Sequence, residues 1–230
     1  EVDGIEPSTD SYNLWIHPET GDEILLLQHR MAFWQKRIDL VAYNMTADSM
    51  YWWHKDIEPA GNSNIRQIQI FKDRAYFQGS NTIHAVNMID GSYQWKYEDT
   101  EKSFVCCHNI VFDEAANVVV DNYSNIDESG LMAWNADEGS VIWINTKANS
   151  YQAENKENFE GYVVQPSRSF NIFSANNGII EHSYSDETNG QLKGIGDFII
   201  DKEKRQLYGH IFDGQLKLAA FSWDQMVEGQ

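Results

Sequence analysis

The chain has 230 residues, of which 42% are hydrophobic, and its 17 Lys and Arg against 35 Asp and Glu give a formal net charge of −18. This acidity excludes a phosphate-binding nucleic-acid surface and disfavours docking on anionic lipid, because both need a basic footprint. No apolar run approaches the roughly 18 residues of a membrane span, so direct membrane insertion is not expected. The polar start at Glu1 is typical of a processed mature end, which predicts an exported protein, periplasmic or on the cell surface.

The first element is a segment at 9–21 (TDSYNLWIHPETG), which resembles residues 90–101 (DGSYQWKYEDTE). It precedes the first full repeat and has no earlier strands of its own. The last repeat, at 197–225, lacks the Trp-bearing strand with which the earlier repeats end. We therefore expect residues 9–17 to pair with the last sheet and close a ring, which would remove the exposed sheet edges.

An internal repeat starts at residue 31. Residues 31–56 match residues 74–99 without a gap. The matched pairs include Ala32 and Ala75, Phe33 and Tyr76, Gln35 and Gln78, Ala42 and Ala85, Asn44 and Asn87, and Trp52 and Trp95. A third copy at 117–147 follows with an insertion near 123–129, and two degraded copies follow at 161–195 and 197–225.

Each copy reads as about four short strands separated by turn sequences such as TADS, IDGS and DEGS. A period of about 40 to 50 residues with four strands is typical of a propeller blade. We therefore expect a single all-β domain over 1–230, a β-propeller of about five four-stranded blades closed by the N-terminal strand. The predicted blades cover 20–58, 62–101, 105–148, 158–195, and 196–225 together with 9–17.

The stretches 42–52, 85–95 and 133–143 share a small residue, an Asn, a turn and a Trp. This pattern resembles the repeat of the quinoprotein-like (PQQ-type, WD40-like) propeller family, typically Ala-x-Asp-x-x-Thr-Gly-x-x-x-Trp. Here Asn stands where Asp is common, and Asp48 replaces the Gly in the first copy. The resemblance covers about 24–148 and implies that the Trp residues dock each blade on its neighbour, in agreement with the packing mass that one large aromatic per repeat supplies.

Some members of that family are quinoprotein dehydrogenases with eight blades, which hold PQQ and a calcium ion beside a vicinal disulfide. Cys106 and Cys107 are adjacent here, as two buried thiols or, in an oxidising compartment, as a vicinal disulfide. The expected blade count is too low for such a site, and no matching cluster of Glu, Asn and Asp can be placed. We therefore expect neither PQQ nor calcium, and no other cofactor.

No sequence motif predicts a catalytic or metal centre. None of the seven His pairs as His-x-His or His-x3-His, so no zinc site is readable. The runs CCHN and DNYSNIDES carry possible zinc and calcium ligands, but they lack an ordered spacing. The sequence has no Gly-x-Ser-x-Gly elbow and no phosphate-binding glycine loop.

A binding site would lie where propellers usually bind ligands, at the mouth of the central channel. This mouth is formed by the loops between blades and by the loops between the second and third strands of each blade. The second–third loops would present Gln35, Arg37, Asn81, Asn122, Tyr123, Asn176 and Asp213, and the inter-blade loops would present His54 and His108.

These observations favour a non-enzymatic binding or scaffolding propeller that presents its loops to a protein or glycan partner. We expect the partner contact in residues 145–162, which depart furthest from the repeat. The alternative is an enzyme, either a quinoprotein-like dehydrogenase or a carbohydrate-active hydrolase with its site at the channel mouth. Carboxylates ~5 to 9 Å apart at that mouth would favour the hydrolase.

Overall fold

The computed structural model consists of antiparallel sheets and one short helix. It describes residues 7–30, 37–59, 66–79, 81–101, 110–124, 128–147, 156–165, 170–184, 198–212 and 216–228. In these residues nineteen strands form five sheets, which confirms the predicted all-β class. Within these same ranges, no helix combines the length and the apolar character that crossing a membrane requires. The chain divides into two compact units.

The first unit comprises residues 1–107 with 137–139 and contains two four-stranded sheets in chain order. The first sheet consists of β1 (Pro7–Ile16), β2 (Glu23–Arg30), β3 (Arg37–Asn44) and β4 (Ser49–Pro59). The second sheet consists of β5 (Arg66–Phe71), β6 (Arg74–Gln78), β7 (Thr82–Asn87) and β8 (Tyr93–Glu98).

The second unit comprises residues 108–136 and 140–230 and contains three sheets. The third sheet consists of β9 (Val111–Asp113), β10 (Val118–Ser124), β11 (Ser129–Asn135) and β12 (Val141–Asn145). The fourth sheet consists of β13 (Glu157–Phe159), β14 (Tyr162–Gln165), β15 (Phe170–Ser174) and β16 (Ile180–Tyr184). The fifth sheet consists of β17 (Phe198–Asp201), β18 (Gln206–Phe212) and β19 (Leu216–Ser222), and α1 (Trp223–Glu228) follows it.

The N-terminal segment belongs to the first sheet, so the prediction that residues 9–17 complete the last sheet is wrong. Strand β1 pairs antiparallel with β2, with Trp15 opposite Ile24. Two side chains of β1 also bind the second sheet: the Trp15 indole N–H donates to the Lys72 carbonyl (2.7 Å), and the Asn13 amide donates to the Ile68 carbonyl (3.0 Å). These contacts fix the segment at the beginning of the meander.

The repeat alignment also changes in its first strand. Ile24 of β2 pairs with Asn44, as Arg74 of β6 pairs with Asn87, so β2 is the structural equivalent of β6. The predicted equivalents of β6, residues 32–35, lie instead in the connection between β2 and β3, outside the described residues. The stretch AFWQ at 32–35 is similar to AYFQ of β6, and this similarity led to the wrong alignment. LLLQ of β2, the true equivalent, has the same apolar pattern and the same terminal Gln.

The third and fourth strands of the four-stranded sheets pair in one common register. A small or aliphatic residue of the third strand lies opposite the position of the repeated Trp, and a β-bulge follows directly. The pairs are Ala42 and Trp52, Ala85 and Trp95, Ala133 and Trp143, and Ile172 and His182. The repeated sequence pattern is therefore a cross-strand pair, which is replaced by Ile and His in the fourth sheet.

An Asn begins the third–fourth turn in the first three sheets for a local reason. The Asn44 side-chain oxygen accepts the Ala47 N–H (2.8 Å), and the Asn87 side-chain oxygen accepts the Ile89 N–H (2.7 Å). Asn and Asp both form such turns, since either oxygen can accept a backbone N–H a few residues ahead. Asn can therefore replace the Asp that is common in the resembling family.

One backbone hydrogen bond recurs in all five sheets, between the residue after the third strand and a residue in or directly after the first–second turn. The donor and acceptor pairs are Met45 and Glu23, Met88 and Asp73, Ala136 and Asn117, Ala175 and Gly161, and Trp223 and Arg205, at 2.7 to 3.0 Å. After this bond the first four sheets turn into a fourth strand, whereas the fifth continues into α1. In the other four sheets, the third–fourth turn contains a residue with a positive φ. The fifth sheet has Met226 at the equivalent position, and Met favours a helix over a left-handed turn.

Each unit has its own hydrophobic core between facing sheets. In the first unit, Ile24, Leu26 and Trp52 of the first sheet pack on Phe77 and Met88 of the second. In the second unit one cluster joins the third and fourth sheets, and another joins the fourth sheet, the fifth sheet and α1.

Candidate functional site

Each sheet has two ends, and these two ends differ chemically. At the turn end, short connections join first to second strands and third to fourth strands. The other end, here called the loop end, carries the second–third connections and all the links between successive sheets. The loop-end connections are 31–36, 60–65, 79–81, 99–110, 125–128, 146–156, 166–169, 185–197 and 213–215.

The turn end is built by a repeated packing unit, here called the indole clamp, in which a Trp of one sheet lies against a Gly of the next sheet's third–fourth turn. The Trp52 N–H donates to the Met88 carbonyl (2.8 Å), and the Trp143 N–H donates to the Ala175 carbonyl (2.8 Å). A Cβ atom added to Gly91 would lie 2.7 Å from the Trp52 ring, and one added to Gly178 would lie 2.4 Å from the Trp143 ring. Each clamp therefore requires a Gly where the indole packs.

The loop end of the second unit contains a completely buried ion pair. Lys156 Nζ lies 3.1 Å from Asp121 Oδ1, and both side chains have no solvent exposure. Asp121 Oδ1 also accepts the backbone N–H of Asn122 at 2.7 Å. Burial lowers the pKa of Lys156, and the negative charge of Asp121 opposes this effect. Since removing either partner would strand a charge in the interior, the pair fixes β10 against the residue that precedes β13.

Buried amides lie beside this ion pair. Gln165 Nε2 donates to Asn122 Oδ1 at 3.5 Å, which is a long contact, and both residues are fully buried. Gln165 Oε1 has no hydrogen-bond partner within the described part of the chain. On the neighbouring strand, Asn171 lies opposite Gln165 and accepts a hydrogen bond from the Ser183 hydroxyl (2.8 Å). The ends of β10, β14 and β15 thus carry a continuous group of polar side chains under two second–third connections.

Tyr123 extends this polar group towards the 125–128 connection. Its hydroxyl donates to Glu128 Oε1 at 3.2 Å, while the side chain as a whole is buried. Burial, together with the charge of Glu128, raises the pKa of Tyr123 to about 12. The phenol is therefore neutral at physiological pH and acts as a hydrogen-bond donor.

The loop end of the first unit has a different polar arrangement, centred on Asp39. Its carboxylate accepts the Trp53 indole N–H (2.9 Å) and the backbone N–H of Asp56 (2.8 Å), and it is fully buried. The His29 ring packs edge-on against Trp53, with ring centroids 5.8 Å apart. The Gln28 amide is also fully buried and finds no hydrogen-bond partner in the ranges that the structure describes.

His84 of the first unit lies in a hydrogen-bond network that the sequence analysis did not predict. His84 Nδ1 lies 3.0 Å from the Tyr93 hydroxyl, which donates to the Ile57 carbonyl (3.2 Å), and His84 Nε2 lies 3.0 Å from the Thr82 hydroxyl. The Tyr93 hydroxyl therefore links His84 of β7 to the Ile57 carbonyl of β4. A polar residue in the apolar strand TIHAVN was the signal that could have found this network.

The predicted binding residues fall in several different places. Asn81 lies in a second–third connection, as predicted, whereas Asn122 and Tyr123 lie inside β10 and are fully buried. Asn176 was expected in a second–third loop, but that connection of the fourth sheet is 166–169. Asn176 lies instead in the third–fourth turn, at the turn end of the sheet. His54 lies on β4 with its ring 4.6 Å from the Tyr93 ring, not in an inter-blade loop.

The remaining predicted residues give no information about the site. Arg37 is the first residue of β3. Gln35, His108, Asp213, Cys106 and Cys107 lie outside the described residues. In the part of the chain that is described, no group of three His, Cys, Asp or Glu side chains is placed to hold a metal ion.

No family model and no curated protein matches the sequence. Similar solved structures include the computationally designed protein Ika8 (TM-score 0.60, 12% identity), the WD40 domain of Pan2 from Neurospora crassa (0.54, 11%) and a europium-containing methanol dehydrogenase (0.55, 10%). The matches cover 90%, 88% and 86% of this chain, which spans only 57%, 60% and 49% of the three matched chains. At these identities the likeness shows the fold alone, and that fold is propeller-like.

Proposed function

We propose that this chain is a non-enzymatic binding or scaffolding propeller, in which the loop end contacts a protein or glycan partner. The five sheets are its blades, with repeats of the quinoprotein-like type, since the Ala–Trp cross-strand pair recurs in three of them. The observation that carries the proposal is the difference between the two ends. One packing unit repeats at the turn end, whereas every link between sheets and each unit's own polar arrangement lie at the loop end.

This division suits a binding module because rigid sheets hold varied loops in fixed positions. The buried Asp121–Lys156 pair stiffens the base of the loops rather than offering a reactive group, because neither side chain reaches solvent. Residues 146–156, which hold most of the segment expected to contact the partner, begin at the end of β12 and finish at Lys156, so this link is anchored on the pair. We place the partner contact there. The export expected from the sequence stays a prediction.

The proposal is tested with labelled protein on an array of defined oligosaccharides and on a displayed peptide library. The variant Tyr151→Ala/Glu154→Ala changes the 146–156 link without shortening it, and Asn176→Ala/Asn177→Ala changes exposed positions of the turn end as a matched control. We expect at least one ligand whose binding falls ten-fold or more in the first variant and stays unchanged in the second.

Two results would overturn the proposal. Ligands that bind both variants equally would remove the loop end as the binding surface. Chemical conversion of a bound oligosaccharide, followed by mass spectrometry of the ligand, would establish an enzyme instead.

A further inference from the structure

Gln28 of β2 places an amide in the core of the first unit, close to the loop end of the first sheet. Its side chain has no solvent exposure, and neither the amide nitrogen nor the amide oxygen has a hydrogen-bond partner in the ranges that the structure describes. An amide side chain offers two N–H donors and one carbonyl acceptor. Because leaving such groups buried and unbonded costs free energy, native proteins satisfy nearly all of them, with protein atoms or with ordered water.

The Gln28 side chain lies on the face of β2 that packs on the second sheet. Ile24 and Leu26 belong to the core cluster that the first and second sheets share, and residues two apart on a strand lie on one face. Leu40 of β3, which lies directly opposite Gln28, belongs to the same cluster. The amide is therefore enclosed between the two sheets.

Asn122 of β10 is the structural equivalent of Gln28 in the second unit. Each lies four residues beyond the second-strand residue that pairs with the end of the third strand. The Asn122 side-chain oxygen accepts a hydrogen bond from Gln165 of the next sheet (3.5 Å). In the second sheet the equivalent of Gln165 is Phe77, because each lies three residues beyond the corresponding pair. The next sheet therefore offers Gln28 a ring without hydrogen-bonding groups where it offers Asn122 an amide.

Polar side chains lie beside Phe77 on the same face of the second sheet. His84 of β7 pairs with Phe77, and the two rings are stacked with centroids 4.7 Å apart. Thr82 lies two residues earlier on β7, and its hydroxyl is 3.0 Å from His84 Nε2. Gln28 lies at this level of the core, since its equivalent on β6 is Gln78, the residue after Phe77. A small polar molecule beside Gln28 can therefore bond to the second sheet as well.

We propose that the Gln28 amide binds a buried water molecule between the two sheets of the first unit. Water suits the amide because it both donates and accepts hydrogen bonds, whereas a cation would satisfy only the carbonyl and an anion only the N–H groups. Buried waters typically make about three hydrogen bonds to polar groups that protein atoms leave unsatisfied. Such a water links the two sheets as the Asn122–Gln165 contact does in the second unit. The site is separate from the 146–156 link of the proposed function.

The first test detects this water in the wild-type protein by NMR, through NOE and ROE cross peaks between water and methyl protons. The Leu40 methyl groups are the probe, because Leu40 lies opposite Gln28 and carries no exchangeable side-chain proton. A long-lived water gives cross peaks of opposite sign in the two experiments, and we expect this pattern at Leu40. Ile24 is the matched control, because it is equally buried on the same face, four residues towards the turn end, and should show no water cross peak.

The second test, Gln28→Met, replaces the amide by a side chain of similar length that has no N–H or carbonyl group. We expect the water cross peaks at Leu40 to disappear while the circular dichroism spectrum stays unchanged. Absence of these cross peaks in the wild type would overturn the proposal, and this result does not depend on the variant folding. Cross peaks that persist in Gln28→Met would also overturn it, because they would come from another group such as the Thr82 hydroxyl.

Discussion

The turn end and the loop end of these sheets are packed by different kinds of contact. At the turn end, Trp52 and Trp143 make one identical contact with the neighbouring sheet, and a Gly provides the space. At the loop end of the first unit, the buried Asp39 carboxylate accepts the Trp53 indole N–H. At the loop end of the second unit, Lys156 is buried against the Asp121 carboxylate. The comparison teaches that the repeat is preserved where sheets dock, and that polar side chains diverge where loops are supported.

The largest expected effect comes from separating the ion pair of the loop end. Lys156→Met leaves Asp121 charged and buried, so we expect the free energy of unfolding to fall by about 3–5 kcal/mol in urea titrations. The double variant Asp121→Leu/Lys156→Met should recover most of this loss, because neither charge remains.

The control for this experiment is the pair Asp201–Lys204, whose lysine is 67% exposed. Lys204→Met should leave the urea midpoint nearly unchanged, since exposed pairs contribute little. Equal losses in the two lysine variants would show that the buried pair has no special role.

The turn end is tested by Gly178→Ala, with an intermediate expected effect. A Cβ there meets the Trp143 ring at 2.4 Å and must also adopt a φ of 69°, so we expect a loss of about 2–4 kcal/mol. Gly21 has a similar φ of 74° but no atom within 4 Å of an added Cβ. Gly21→Ala should therefore lose only the conformational part, about 1–2 kcal/mol. Equal midpoints for the two variants in urea would refute the steric role of the clamp.

The smallest expected effect is the pH dependence that Lys156 contributes. Because burial lowers the pKa of Lys156 in the folded chain, the unfolded chain binds more protons between that lowered value and 10.5. Stability relative to the Asp121→Leu/Lys156→Met variant should therefore rise with pH across this window and be constant below it. Urea midpoints of both proteins between pH 7 and 10 measure this difference, in which the other lysines and tyrosines cancel. A difference that falls or stays flat would show that burial does not depress this pKa.

The third–fourth hairpins of the first three sheets could be predicted because their signals are local. The Ala42–Trp52 spacing, the Asn at the turn and the following Gly or Asp each act within one hairpin. The placement of residues 9–17 could not be predicted in this way, because their resemblance to a fourth strand reflects Trp15, which contacts the second sheet from a first strand. The same Trp contact can be made from two different strands of a sheet.

The polar loop-end cluster could be predicted only in part. The position of Asn122 and Tyr123 near a loop predicts exposure, but no local signal indicates that β10 continues through them to Ser124. Lys156 was missed because a lysine beside a long polar segment is expected to be solvated. Only the structure shows that its side chain is buried against Asp121. Long-range pairing of this kind has no local signature.

The hydrogen bond that recurs after every third strand joins two main-chain groups, so every side chain except proline at the donor position preserves both groups. Amino-acid identity can consequently drift from Met to Ala to Trp at the donor position while each hairpin keeps its dimensions. This tolerance explains how His182 can occupy a Trp position and how a helix can follow the fifth copy, and it allows ancestral duplications to fade from the sequence long before they fade from the backbone.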